Sequence, residues 1–211
     1  MRLKSLISRA LLRVIVDFTS VFRFAFFREI WTLLVLFNAL FFGCATVTLL
    51  GAGLILQPPP LYTGYSANVP EFLLGSGWLI MVLGIFVFNL VVSSFIYVTL
   101  PGLLLFPLSA IFLVYRGFLW GLLLYVLPVS VFLLALPTIV LEGEAYVFAT
   151  VGGTLLGASW TRLLREYKGE GLSRVDALKM ALKECLRIYV FVVIFLIAAA
   201  IAETIVVLLS I

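Results

Sequence analysis

Apolar residues run through this chain in long blocks, separated by proline, glycine or basic clusters rather than by a regularly recurring polar face. About 20 apolar residues in a helix cross a hydrocarbon core about 30 Å thick. Blocks of that length occupy residues 30–56, 74–99, 102–125, 138–159 and 188–211, and each predicts a transmembrane helix. Between the third and fourth lies a shorter apolar piece, Val126 to Leu136, bounded by Pro128 and Pro137. It is too short to span, so it predicts a re-entrant or interfacial half-helix. Arg116-Gly117 and then Gly121 predict an interruption of the third span, and Thr99-Leu100-Pro101-Gly102 a tight turn before it. The expected fold class is all-α: a polytopic transmembrane helix bundle of about five spans plus that half-helix.

The flanks of the blocks set the expected topology. Residues 1–29 carry Arg2, Lys4, Arg9, Arg13, Arg23 and Arg28, most of them on one helical face opposite Leu3, Ile7, Leu11, Val14 and Phe18. This predicts a basic amphipathic helix lying on anionic lipid headgroups, outside a transmembrane domain of residues 30–211. A cleaved signal peptide is excluded, because the following apolar run is too long and no small-residue cleavage site ends it. Residues 160–187 form a second basic segment, which the positive-inside rule puts in the cytoplasm. Ser173 with Asp176 predicts a helix cap there, and Val175, Leu178, Leu182 and Leu186 recur at helical spacing. The proline-rich segment 57–73 has Glu71 and no Lys or Arg, so it belongs outside. Four spans separate the two basic segments, giving a cytoplasmic N-terminus and an external C-terminus.

Composition agrees and removes other classes. The chain is 64% hydrophobic and 11% charged, against about half and about a quarter for a soluble domain. Cys44 and Cys185 are expected to be free, with no disulfide framework or zinc spacing. There is no histidine, and Asp17 and Asp176 both lie outside the spans. An intramembrane aspartyl dyad is therefore excluded, and no enzyme activity or cofactor is expected. No phosphate-binding glycine loop is present, and the basic segments lack the layout of a nucleic-acid surface.

Within the lipid-spanning blocks, a few residues stand out. Ala145, Ala149, Gly153 and Gly157 recur every four residues, as do Gly117 and Gly121. Small residues at that spacing let two helices approach closely in lipid. Glu142 shares the face of the first stripe, and Glu144 falls nearly opposite. By helical rise, Arg116, Glu142, Glu144 and Glu203 all lie roughly 21 to 26 Å from the cytoplasmic ends of their spans. Charges at depth are costly and usually paired, so a cluster is expected in which Arg116 pairs with Glu144 or Glu142. One cation against three carboxylates leaves surplus acid, taken up either by protonation or by a bound cation or water. A network that only fixes helix register accounts for the same residues. Asn89, near the midplane of the second span, is either a polar site or an interhelical hydrogen bond.

Three of these stretches, in order, carry a family resemblance. Phe88-Asn89, then Arg116-Gly117-Phe118-Leu119-Trp120-Gly121, then Leu136-Pro137-Thr138-Ile139-Val140-Leu141-Glu142-Gly143-Glu144-Ala145 resemble the integral-membrane family of bacterial stage II sporulation protein M and its bacterial and archaeal relatives. That family typically shows Phe-x-Asn-Asn, Asn-Gly-x-x-x-Gly and Leu-Pro-His-Gly-x-x-Glu-x-x-Ala. Glu142 and Ala145 match the last motif. Arg116 stands in place of the family asparagine, Thr138 and Ile139 in place of its histidine and glycine, and Glu144 in place of a proline. An added arginine and an added carboxylate together read as a compensated pair. The resemblance implies a multi-helix membrane protein working with partners, as the sporulation protein does in an engulfment complex, and implies no reaction.

Two functions remain. One is a non-enzymatic membrane subunit or scaffold of a larger complex, with protein partners or a homodimer. The other is a small transporter or channel with a cation or proton site at the Arg/Glu cluster. The broken helices expected at Gly117, Pro128 and Pro137 favour the second. The short chain and the absence of an inverted repeat favour the first.

Overall fold

A computed structural model describes residues 24–56, 77–161 and 173–210, and these are almost wholly helical, with no strand among them. Helix α1 covers Phe24–Ile55. The second span begins as α2, Trp78–Val87, widens into a π-helical segment, Phe88–Thr99, and ends as α3, Leu100–Leu104. Helices α4 (Phe106–Val126), α5 (Val129–Thr161) and α6 (Arg174–Ser210) complete the bundle. Five helical stretches are long and apolar enough to cross a membrane: Ile30–Ile55, Trp78–Leu104, Phe106–Val126, Val131–Thr161 and Arg174–Leu209. Their uncovered sides are apolar, as at Val47, Leu50, Leu83, Ile111 and Ile194, as expected of surface that meets lipid tails rather than water.

Several elements differ from the sequence expectation. The half-helix over 126–136 is not a separate element: from Val129 it is the beginning of α5, and Pro137 lies inside that one continuous helix. Proline removes one amide donor and so frees one carbonyl, but a buried membrane helix tolerates this where its neighbours hold it in place. The third span is likewise unbroken at Arg116-Gly117. The turn expected at 99–102 falls instead at Leu105, which is extended (φ −145°, ψ 121°). The amphipathic helix expected over 1–29 lies mostly outside the described residues, as do residues 57–76 and 162–172.

Helix α5 is the centre. It packs most extensively along α6, while α1 pairs with α4, and α5 touches all the other spans. Phe148 of α5 stacks on Phe191 and Phe195 of α6, with ring centroids 5.3 and 5.6 Å apart. At 1.5 Å per residue, α5 and α6 are about 50 and 55 Å long, well beyond the hydrocarbon core. The excess projects at the end of the bundle that carries Thr161 and Arg174, called here the basic end. There Leu156, Ala177, Ala181 and Cys185 form a separate small core. Ser173 caps α6: its Oγ accepts the Asp176 amide at 3.1 Å and donates to Asp176 Oδ2 at 2.5 Å.

The buried face of this part of α6 is the small one, Ala177, Ala181 and Cys185. Val175, Leu182 and Leu186, part of the expected apolar face, are exposed instead. Close approach to α5 selects side chains that leave room, and the bulky row is turned outward. Both cysteines are free. Cys185 is buried, and Cys44 Sγ donates to the Val114 carbonyl at 3.3 Å.

Candidate functional site

Halfway along α5 the bundle holds a level of polar side chains. Glu142 is buried. Its Oε1 accepts from Asn89 Nδ2 at 2.5 Å, and its Oε2 lies 3.2 Å from the Tyr146 hydroxyl one helical turn on. That hydroxyl has a single proton and also lies 3.3 Å from Asn89 Oδ1. Ser93 Oγ donates to the same Oδ1 at 3.2 Å. Arg116 Nη2 donates to the Tyr146 oxygen at 3.2 Å, and the guanidinium carbon lies 4.8 Å from the Tyr146 ring centroid. Arg116 thus reaches Glu142 through Tyr146, as a donor to its hydroxyl and a cation against its ring. No ion pair within 4.0 Å joins Arg116 to a carboxylate among the described residues. The two charges nevertheless interact through space.

The local winding explains why Asn89 and its neighbours point inward together. A π-helix closes its bonds to the fifth residue, one more than an α-helix. Positions four and five apart therefore share a face, and Ser93, Ser94, Val98 and Thr99 are all buried. Thr99 Oγ1 donates to the Ala149 carbonyl at 3.0 Å. With its own proton spent there, it accepts from the Tyr189 hydroxyl at 2.7 Å.

The other carboxylates go elsewhere. Glu144 is only partly buried and faces Asn38 of α1. The pairing of Arg116 with Glu144, inferred from two matched departures from the family pattern, is therefore corrected. Two residues along a helix rotate the side chain by about 200°, which turns Glu144 away from the face that holds Glu142 and Tyr146. Glu203 of α6 is buried and close enough to Glu142 for their charges to interact. Tyr146, Ser93 and Asn38 are the residues that the sequence reading missed. Tyr146 was legible in principle, since it follows Glu142 at the i, i+4 spacing that puts two side chains in contact.

The small residues make the closest helix contacts. A Cβ at Gly117 would lie 2.6 Å from the Phe41 carbonyl oxygen of α1, and one at Gly121 would lie 2.5 Å from that of Ala45. The two glycines and the two carbonyls are each four residues apart, so α4 rests on α1 in matching steps. On α5, a Cβ at Gly153 would lie 2.9 Å from the Thr99 oxygen, and one at Gly157 would lie 2.7 Å from the Phe106 nitrogen. Ala145 and Ala149 are completely buried on the same helix. All of these small side chains face helices of the same chain.

The fold is that of a multi-pass α-helical membrane protein with ionisable side chains held inside the bundle. The family model of stage II sporulation protein M matches residues 32–207; the chain belongs to that family. No curated protein and no solved structure matches it.

Proposed function

We propose that the protein is a non-enzymatic membrane subunit that holds partner proteins, and that they dock at the basic end of α6. The exposed row of Val175, Leu182 and Leu186 carries this reading. It lies where α6 is longer than the membrane requires, beside Arg174 and Lys179 and opposite the face already consumed by α5. A bulky apolar row flanked by cations suits a partner helix with a matching apolar stripe and acidic rim. By the positive-inside rule this end is cytoplasmic and the C-terminus external.

Transport through one chain is the weaker reading. The bundle between the polar level and the basic end is filled by Val147, Phe148, Ala149, Val151 and Leu196, with backbone meeting backbone at Gly153 and Gly157. Buried hydroxyls in that direction, at Thr99, Ser109 and Thr150, donate to the backbone carbonyls of Ala149, Val98 and Tyr146.

Purification from native membranes in mild detergent, followed by mass spectrometry, tests the proposal. Wild-type protein is expected to bring down a defined partner, which Leu182→Ser with Leu186→Ser loses while keeping the same thermal unfolding midpoint. A wild-type protein that runs alone, or a variant that keeps its partner, removes the docking role of this row.

A further inference from the structure

We infer that Thr138, Glu142 and Glu203 enclose a site for one exchangeable monovalent cation, Na⁺ or H⁺, on the side of the polar level away from the basic end. This inference stands apart from partner docking. The pairing of α5 and α6 sets the relative heights of these residues. Phe148 lies between Phe191 and Phe195, and a Cβ at Gly152 would meet Cys185 and Tyr189. The two helices run antiparallel, so Glu142 lies level with about residue 199 and Thr138 level with Glu203. Glu203 is then about 6 Å beyond Glu142 along the bundle axis. Thr138 and Glu142 are one turn apart on the same face of α5.

One hydroxyl there is buried without a partner. The Thr138 residue is completely inaccessible, and its Oγ1 makes no hydrogen bond. Four other helical threonines, at 46, 150, 161 and 204, donate to the carbonyl four residues back, and Thr138 does not. Glu203, as a residue, is 6% exposed. Buried polar groups of native proteins are almost always satisfied, and an exception calls for a water or an ion.

Charge decides which ligand fits. Glu142 and Glu203 bring two carboxylates to one interhelical space. Arg116 is already committed to the hydroxyl and ring of Tyr146. By the register of α5 on α6, Glu142 and Thr138 are the polar residues of α5 nearest Glu203 in height, and the part of the second span that packs on α6 buries Met81, Val82 and Ile85, three residues that do not ionise. Through space Arg116 still offsets one of these two carboxylates, so one further positive charge is needed, and it finds oxygen ligands alone. Among the described residues no three His, Cys, Asp or Glu side chains come together to hold a metal, which leaves too little anionic charge for a divalent ion.

The experiment uses the full chain in lipid nanodiscs, with thermal unfolding read in sodium and in choline chloride at equal ionic strength. Infrared spectra of the protonated carboxyl stretch are taken in parallel. For a Na⁺ site, sodium raises the midpoint saturably and removes the protonated-carboxyl band seen in choline. For a H⁺ site, the band persists in sodium, and the midpoint falls as pH rises through the range where the band disappears. In either case Glu203→Gln abolishes the response. The near-isosteric Thr138→Val, a second route should the first variant fold poorly, weakens it several-fold. Glu144→Gln, which faces α1, leaves it unchanged. A midpoint indifferent to both sodium and pH, with no carboxyl band, or a response that survives Glu203→Gln, overturns the site.

Discussion

Helix α5 is held in two different ways along its length. Toward the basic end it is held by shape: Gly153 and Gly157 let its backbone rest on Thr99 and Phe106 with no space for even a methyl group. Around Glu142 it is held by chemistry, through Asn89, Tyr146 and, by way of Tyr146, Arg116. In lipid there is little hydrophobic drive between helices, so close packing and interhelical hydrogen bonds share the task. The two regions differ in how they fail. A backbone contact has no rotamer through which to relieve a clash, whereas a polar network can re-pair or recruit water. The shape-held half should therefore be the less tolerant.

The largest effect is expected at that half. Gly157→Leu drives a side chain into the Phe106 backbone and should cost about 3 kcal/mol or more, read as lost folded protein in a detergent unfolding titration. Retention of wild-type stability would mean that α5 and the α3–α4 junction can separate without loss. Next comes Glu142→Leu, which strands the Asn89 amide nitrogen and removes one contact of the Tyr146 hydroxyl, and should cost about 2 kcal/mol in the same assay. If it equals or exceeds Gly157→Leu, the ranking of shape above chemistry is reversed.

Smaller effects separate the polar contacts from one another. A double-mutant cycle on Asn89→Leu and Glu142→Leu should give a coupling of about 1 kcal/mol, within the range of hydrogen bonds between membrane helices. The cycle on Arg116→Leu and Glu144→Leu should be additive to within about 0.5 kcal/mol, because the two side chains face different neighbours. Substantial coupling there would restore the direct pair that the geometry rejects. The smallest effect is expected for Gly43→Ala, a glycine with nothing within 4 Å of an added Cβ. It should change stability by less than about 0.5 kcal/mol, and a larger loss would point to a neighbour beyond this single chain.

Much of the architecture was legible from apolar block length alone, since the cost of burying unpaired backbone in lipid permits few solutions. The positions of the breaks were not. Proline and glycine mark where a helix is able to break, and whether it does depends on the neighbours that hold it, so Pro137 and Gly117 both sit inside continuous helices. Depth brought Arg116, Glu142, Glu144 and Glu203 to a common level, because rise per residue is fixed, but it left Asn89 nearer the midplane, whereas Asn89 donates to Glu142. Azimuth was harder: the π winding of 88–99 shifts every face below Asn89, and charge matching alone left both Glu142 and Glu144 as partners for Arg116.

By itself the sequence determined that this is a multi-span membrane protein, which residues are polar at depth, and which small residues recur at contact spacing. These are properties of composition and helical period, and they hold whichever helix lies next to which. Only the tertiary structure decided that Gly117 and Gly121 meet α1, that Tyr146 stands between Arg116 and Glu142, that Glu144 turns to Asn38, and that α6 buries its alanines and exposes its leucines. Those outcomes depend on the rotation of each helix about its own axis. That rotation is set by the packing of the whole bundle and by no single segment.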